Sequence, residues 1–394
     1  MKNKKIRQAV ILAGGFGKRL GQITKSLAKP MIKFNDKPFL YYLIEELKKN
    51  KIEKILILAG FKGKYIKNKL KKFKNTKVII EKKPLGTLGS VITSSKHCED
   101  RFLLINGDTL FNIIYLNKII EYEKFKTFLF LTKNSNYKSN NLLNNIDIRS
   151  KKIYFTKTKK KMYAGISILS KENFKGFLKN KFYSFEKDYV PNLIKKNLLY
   201  GNYDESYFID FGIKKNLVFL KQNFKKLTEK KCVFFDRDNT LILDKGYTYK
   251  SSDLIWNKGA IKAIKYLNKL NYLVIVVTNQ SGIARGYYKE QDVLKFHNYM
   301  NKDLYKHGAC INDFFYCPFY EKGKIKRYKK KSIDRKPNNG MILKSLKKWN
   351  INKKKSFFIG DSNTDELAAK KSQIKFLKFK KRNDLYKLVK RNIT

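Results

Sequence analysis

Long apolar runs are missing from this chain. Stretches such as "YLVIVV" and "FLFL" are far too short to cross a bilayer as helices, so no transmembrane segment is expected. Cysteine is scarce as well. Cys98, Cys232, Cys310 and Cys317 are scattered without CxxC spacing, which argues against a disulfide framework and for a reducing compartment. The basic start "MKNKKIRQAVILAGG" has only a short apolar run that ends in glycines, so it does not read as a secretory signal; the expected location is the cytoplasm. The third scarcity is acid: 32 Asp and Glu stand against 89 Lys and Arg, a formal net charge of +57. That imbalance invites a nucleic-acid reading. Lysine is spread almost evenly, however, among many Asn, Ile and Tyr, as in the drift of an AT-rich genome, and patches rather than totals make nucleic-acid footprints. A basic surface would equally steer phosphorylated substrates.

What is present suffices for two or three domains. The chain has 394 residues, 42% hydrophobic and 14% aromatic, which excludes wholesale disorder. Two strand–turn–helix openings stand out, "RQAVILAGGFGKRL" near the start and "VFFDRDNTLILD" at Val233–Asp244. Each is followed by amphipathic helices alternating with short apolar strands: "KILILAGF", "RFLLINGDTLF", "YLVIVVTNQ" and "SFFIGDSNTD". That alternation predicts an α/β protein with parallel sheets covered by helices on both faces. Ile261, Ile264, Leu267 and Leu270 share one face of a predicted helix. The polar stretch Lys221–Lys231 reads as the junction, giving domains 1–225 and 226–394. Residues 138–145 read as a surface loop and 322–332 as an exposed basic run. No internal repeat is found.

In the first half, "LAGGFGKRL" follows an apolar strand. Glycines there let backbone N–H groups approach phosphate oxygens closely. Neither the Rossmann nor the Walker pattern is met, because Leu20 stands at the third glycine position and Arg19 follows Lys18. "AKPMIKF" adds Lys29, "PLGTLGS" a second glycine loop, "LLINGDTLF" a strand-end Asp108 and "YFIDFGI" a strand-end Asp210. Two carboxylates plus Arg19 and Lys29 are the parts needed to hold Mg²⁺ and a triphosphate. Taken in order, these motifs resemble the sugar nucleotidyltransferases, and most nearly the heptose-1-phosphate and mannose-1-phosphate guanylyltransferases, over nearly all of residues 6–220. The resemblance implies a glycosyltransferase-like, Rossmann-like mixed α/β sheet. It implies a triphosphate cradled by Leu12, Ala13, Gly14, Gly15, Gly17 and Arg19, phosphate contact from Lys29, and metal at Asp108 and Asp210. Gly86 and Thr87 would lie near the base, Gly165 and Glu186 near the sugar. Lys18, Ala28, Leu88 and the pair Thr156-Lys157 depart from that family's usual residues, which leaves an inactive domain open.

In the second half, Asp236 and Asp238 flank Arg237 at the end of an apolar run. Lone buried carboxylates are costly, so the pair calls for a partner. "FFDRDNT", "IVVTNQSG", "DRKPNNGMI" and "FFIGDSNTDELAA" resemble, in order, the motifs of the haloacid dehalogenase phosphatases. The resemblance implies Asp236 as nucleophile, Asp238 as general acid–base, and Thr278 and Lys336 on the transferring phosphoryl. It places Mg²⁺ on Asp236, Asp238 and Asp361, with Asp365 orienting the loop, and substrate on Asn279, Gln280, Ser281, Arg285 and Arg335. "VTNQSGIARGYY" and "RKPNNGMI" are most similar to the histidinol-phosphate and heptose 1,7-bisphosphate phosphatases, which lack a large cap. Most of these carry a zinc loop. Here Cys317 remains, but Phe319, Ser332 and Asp334 stand where the other ligands would be, so no zinc is expected. Asn239 stands where the family usually has glycine.

The two resemblances name consecutive steps, since a heptose bisphosphate phosphatase makes the 1-phosphate that the guanylyltransferase consumes. Three readings stay open on the sequence. One is a bifunctional heptose enzyme with phosphorylated-sugar and nucleoside-triphosphate substrates and no membrane partner. Another is a histidinol-phosphatase-like enzyme fused to an inactive or hexose-specific nucleotidyltransferase. The last is a basic nucleic-acid-binding protein. The oligomeric state is not legible.

Overall fold

Residues 6–111, 125–133, 143, 145–157, 161–203, 208–380 and 383–393 are described by a computed structural model. The chain divides into two compact units, Met1–Leu227 and Thr228–Thr394. The stretch expected to be a polar junction is instead largely helical. Its first part belongs to the helix Lys214–Thr228, whose Leu217, Leu220 and Phe224 are buried in the first unit's core. Those residues recur at helical spacing, and the lysines that made the segment look like a linker occupy the other face. The expected loop 138–145 lies almost wholly outside the described residues; of its members, Leu143 is buried.

Among the described residues, the first unit is built on a sheet of nine strands. Gln8–Ala13 lies between Lys54–Ala59 and Arg101–Asn106, parallel to both, and Thr76–Ile80 extends the parallel part. Beyond Arg101–Asn106 the sheet turns antiparallel through Lys161–Ser170 and Phe128–Lys133. The sheet of this unit is therefore mixed, as the resemblance implied, and the all-parallel reading of the alternating pattern holds only for its first strands. Part of the reason is a tight hairpin: Ile146–Arg149 and Lys152–Phe155 pair antiparallel across Ser150 and Lys151, both at positive φ (48° and 67°). A two-residue turn of that hand needs no helix between its strands, and with no glycine or asparagine in it the sequence gives no turn signal.

The second unit has five parallel strands in the order Asp313–Cys317, Leu273–Asn279, Cys232–Phe235, Phe357–Gly360, Lys375–Lys378. Val233, Phe234 and Phe235 of the central strand are fully buried. Strands of a sheet covered on both faces are apolar on both sides, as here. Each such side chain contributes about 1.5–3 kcal/mol, so the strand end is firmly anchored where it delivers Asp236. The helix Ala260–Lys269 buries Ile264 and Leu267 and sets Ile261 and Leu270 against the same core, the face expected from their spacing. No described helix is long and apolar enough to cross a membrane.

Candidate active sites

In the first unit, a short antiparallel pairing brings two distant carboxylates together. Phe208–Asp210 pairs with Thr109–Phe111, Asp210 opposite Thr109, and Phe211 N donates to Asp108 O (3.2 Å). Lys29 Nζ joins both, donating to Asp108 and lying 3.4 Å from Asp210 Oδ1. Gly212 N also donates to Asp210 Oδ1 (2.7 Å). Burial works to strip the Lys29 proton, but the two carboxylates outweigh it and its pKa is raised. Asp210 is raised by burial and by the neighbouring Asp108 charge. Two hard oxygen donors converging on one cationic point are a set that a divalent cation fits.

These residues wall a cavity of about 460 Å³. The structure brings there Leu12, Ala13, Gly14, Gly15, Arg19, Lys29, Gly86, Thr87, Asp108, Glu186 and Asp210, all expected at the site. Gly17 and Gly165 are not among the lining residues. Gly17, with φ +66°, shapes the turn before the 3-10 segment Lys18–Leu20, and a side chain there would meet Thr24. Gly165, with φ +68°, lies against Asn106 and Thr109 behind the wall. Gly86 (φ +73°) and Gly89 allow the chain at Lys181–Tyr183 to cross the second glycine loop closely. Thr87 Oγ1 and Ser184 Oγ both donate to Glu186 Oε2 (3.2 and 3.1 Å).

Sequence reading missed Glu81, Phe16 and Phe182, which also line this cavity. Glu81 directly follows the edge strand Thr76–Ile80, and a Cβ on Gly14 would lie 3.3 Å from its carboxylate. Burial raises its pKa against a hydrogen bond from Ser90. An isolated Glu among lysines carries no signal in sequence; only strand order sets it beside the glycine loop.

In the second unit the functional groups issue from the carboxyl ends of adjacent parallel strands, where such sheets place their clefts. Asp236 follows Phe235, Thr278 and Asn279 end the neighbouring strand, and Asp361 follows Gly360. Lys336 Nζ lies 2.8 Å from Asp236 Oδ1 and 2.6 Å from Asp365 Oδ1. Asn279 exchanges hydrogen bonds with the backbone of Lys336 (3.0 Å each way), fixing the loop that carries it. Burial pushes the Asp236 carboxyl up, Lys336 opposes this, and Asp365 and Asp238 add to it, leaving it at about 7. Lys336 itself is raised, because two carboxylates outweigh its burial. The two shifts differ in cause: burial leads at Asp236, and the pair of carboxylates decides at Lys336.

Asp236, Asp361 and Asp365 each offer an oxygen within 4.8 Å of the others. Asp365 is already committed, to Lys336 and to Ser362, whose N and Oγ donate to its Oδ2 (3.1 and 2.6 Å). Asp361 is raised by burial and then by Asp365, and Thr240 Oγ1 lies 3.4 Å from its Oδ1. The donor chemistry therefore fits a hard divalent cation at Asp236 and Asp361, with Asp365 as orienter. The carboxylate of Asp238 is not part of that group. Its oxygens are taken by Arg237, by Gln280 Nε2 (2.9 Å) and by Thr278 Oγ1 (3.4 Å).

A cavity of about 260 Å³ is walled by Asp236, Asp238, Thr278, Asn279, Gln280, Ser281 and Lys336, joined by Asp244, Tyr247, Tyr288 and Thr364, which sequence reading missed. Arg285 and Arg335 are not among its lining residues; both lie over the Tyr320 ring, 4.5 and 4.8 Å from its centroid. Asn239 adopts φ +57°, the left-handed conformation that glycine takes readily and that asparagine also tolerates. The chain around Cys317 is held by side-chain hydrogen bonds. Glu290 accepts from Tyr316 and Tyr328 hydroxyls (2.7 Å each), while the buried Cys317 thiol points to Phe319 O and is raised by its burial. One protonated thiol does not make a zinc donor set.

Comparison with known proteins follows this division. Residues 8–139 match the family described as nucleotidyl transferase, and residues 231–384 the family described as polynucleotide kinase 3 phosphatase. A D-glycero-beta-D-manno-heptose-1,7-bisphosphate 7-phosphatase of Pasteurella multocida is 40% identical over 146 residues, 37% of this chain and 79% of that protein. A D-glycero-alpha-D-manno-heptose-1,7-bisphosphate 7-phosphatase of Campylobacter jejuni is 38% identical over 144 residues, 36% of this chain and 78% of that protein. The inositol-1-phosphate CTP transferase of T. maritima matches in structure with TM-score 0.50 at 19% identity, over 57% of this chain and 98% of that one, a likeness of fold alone.

Proposed function

The chain belongs to the family of D-glycero-D-manno-heptose-1,7-bisphosphate 7-phosphatases, and from that premise we propose a bifunctional enzyme that removes the C7 phosphate of the bisphosphate and then transfers GMP to the heptose 1-phosphate so formed. The observation that carries the phosphatase half is the buried Asp236 held by Lys336 at 2.8 Å, with Thr278 and Asp238 on the same cavity wall. Asp236 attacks phosphorus and forms an aspartyl phosphate as the P–O bond to C7 breaks. Asp238 gives a proton to the departing sugar oxygen, then takes one from the water that splits the aspartyl phosphate and frees inorganic phosphate. Lys336 and Thr278 carry the charge of the transferring phosphoryl. Mg²⁺ held by Asp236 and Asp361 would supply the positive charge that lets a carboxylate approach a phosphate dianion.

For the second step, the 1-phosphate oxygen attacks the α-phosphorus of the triphosphate and pyrophosphate leaves, a displacement driven by alignment and charge neutralisation. Lys29 and Arg19 would hold phosphate oxygens, with a divalent cation at Asp108 and Asp210. Glu81 supports guanine as the base. A carboxylate offers two acceptors side by side, and guanine alone among the bases presents two adjacent donors, N1–H and N2–H₂; uracil would set two carbonyls against the same charge.

One incubation tests both halves. With the bisphosphate, Mg²⁺ and each nucleoside triphosphate in turn, phosphate release should occur without nucleotide, and pyrophosphate should appear with GTP. Pyrophosphate with no prior phosphate release, or equal use of all four triphosphates, would overturn the assignment.

A further inference from the structure

We infer that Arg237, braced by His297, is a positioning residue for the general acid–base of the phosphatase: it sets the rotamer of Asp238 and, through the same guanidinium, the loop that walls the cavity. The inference rests on Asp238 acting as proposed above.

Arg237 is fully buried although it sits between two catalytic carboxylates. A buried guanidinium must have its N–H groups met. Here Nε donates to Asp238 Oδ1 (2.8 Å) and Nη2 to Asp238 Oδ2 (3.1 Å), a two-point grip that fixes the plane of the carboxylate. Nη2 also donates to Thr248 O (2.8 Å). Thr248 is tied through its N and Oγ1 to Asp244 Oδ1 (3.0 and 2.7 Å), and Asp244, Gly246 and Tyr247 line the cavity. One side chain thus sets both the acid–base group and part of the substrate wall.

His297 supplies the remaining brace. Its Nε2 lies 3.4 Å from Arg237 Nη1. Arginine can only donate, so Nε2 accepts and the ring proton resides on Nδ1. The ring is clamped flat on Phe314, centroids 4.3 Å apart at 14°, and Phe296 lies 5.2 Å from the guanidinium carbon. Burial and the Arg237 charge hold His297 far below its ordinary pKa, so it stays a neutral acceptor. Lysine in place of Arg237 could reach one oxygen but could not fix the carboxylate plane.

The test compares two esters in the same protein. Formation of the aspartyl phosphate, which kcat/KM reports, needs a proton for a sugar oxygen and almost none for 4-nitrophenolate. Arg237→Lys should lower kcat/KM for the heptose bisphosphate about 10- to 100-fold, within what a positioned general acid supplies, and that for 4-nitrophenyl phosphate less than about threefold. His297→Phe, which keeps the stack and removes the acceptor, should act in the same direction more weakly, and His297→Gln should recover the activity. Because each variant is judged by the ratio of two substrates, a partly misfolded fraction cancels. In an Asp238→Asn background, Arg237→Lys should no longer change the ratio of the two esters, since only its hold on the cavity loop is left to lose. Equal losses on both esters in the otherwise unaltered protein, or a ratio that still changes in the Asp238→Asn background, would overturn the inference. If Asp238→Asn itself fails to distinguish the esters, the acid–base reading falls instead; turnover retained by Asp236→Asn would remove the phosphatase reading altogether.

Discussion

Each half of this chain holds one lysine between two carboxylates. In the first unit Lys29 joins Asp108 and Asp210, whose side chains keep 26% of their exposure. In the second, Lys336 joins Asp236 and Asp365, at 12% and 0%. The cavities differ in the same sense, about 460 Å³ against about 260 Å³. The proposed chemistry accounts for the contrast. A site that only aligns two bound substrates needs room and charge; one that uses its own carboxylate as nucleophile gains from removing that group from water.

The sharpest way to break the comparison is to remove each cluster's essential acid. Asp236→Asn should cut phosphate release by at least about a thousandfold, the scale of losing a covalent nucleophile, yet leave pyrophosphate release from heptose 1-phosphate and GTP unchanged. Asp108→Ala should do the reverse. Neutralising the bridging cations comes next: Lys336→Met should lower phosphate release, and Lys29→Met pyrophosphate release, each about 10²–10³-fold in kcat, as for a lost charge-stabilising donor. Base choice is a smaller effect. Glu81→Gln should reduce kcat/KM for GTP about 10- to 100-fold relative to other triphosphates, as when one hydrogen-bonded pairing is lost, with no change in phosphate release.

Proton dependence should separate the halves more gently. Asp236 is pushed up to about 7, so it gains a proton as pH falls through that value and loses both nucleophilicity and affinity for a cation. Mg²⁺ binding to the phosphatase unit, followed by calorimetry, should weaken about tenfold per pH unit below about 7 and release a proton on binding. Smallest of all, Cys317→Ala should change phosphate release less than about twofold, since surroundings rather than metal hold its loop, and elemental analysis should find no zinc.

The strand-end acids Asp108, Asp210, Asp236 and Asp361 were legible because apolar runs ending on carboxylates are rare in so basic a chain. Their order along the chain carried the resemblance to two enzyme families. Glu81 and Tyr247 were not legible, because each reaches its site through strand order or loop path and neither belongs to a local pattern; Phe16 and Asp244 stand inside the two opening motifs, but nothing in those motifs marks them as wall residues. Arg237 shows a subtler gap. It was visible between two aspartates, but its grip on Asp238 and its brace from His297, sixty residues on, depend on burial that no spacing reports.

By itself, then, the chain's order of residues determined two α/β units, the helical and strand periods, and which acids stand at strand ends, because these follow from local patterning and from the cost of placing charge beside apolar runs. Tertiary structure alone decided that Glu81 stands beside the first glycine loop, that Lys29 and Lys336 each fall between two carboxylates, and that Asp238 turns to Arg237 rather than to the acidic group at Asp236. Those outcomes depend on which strands become neighbours and which groups are shut away from water, and both are settled only when distant segments meet.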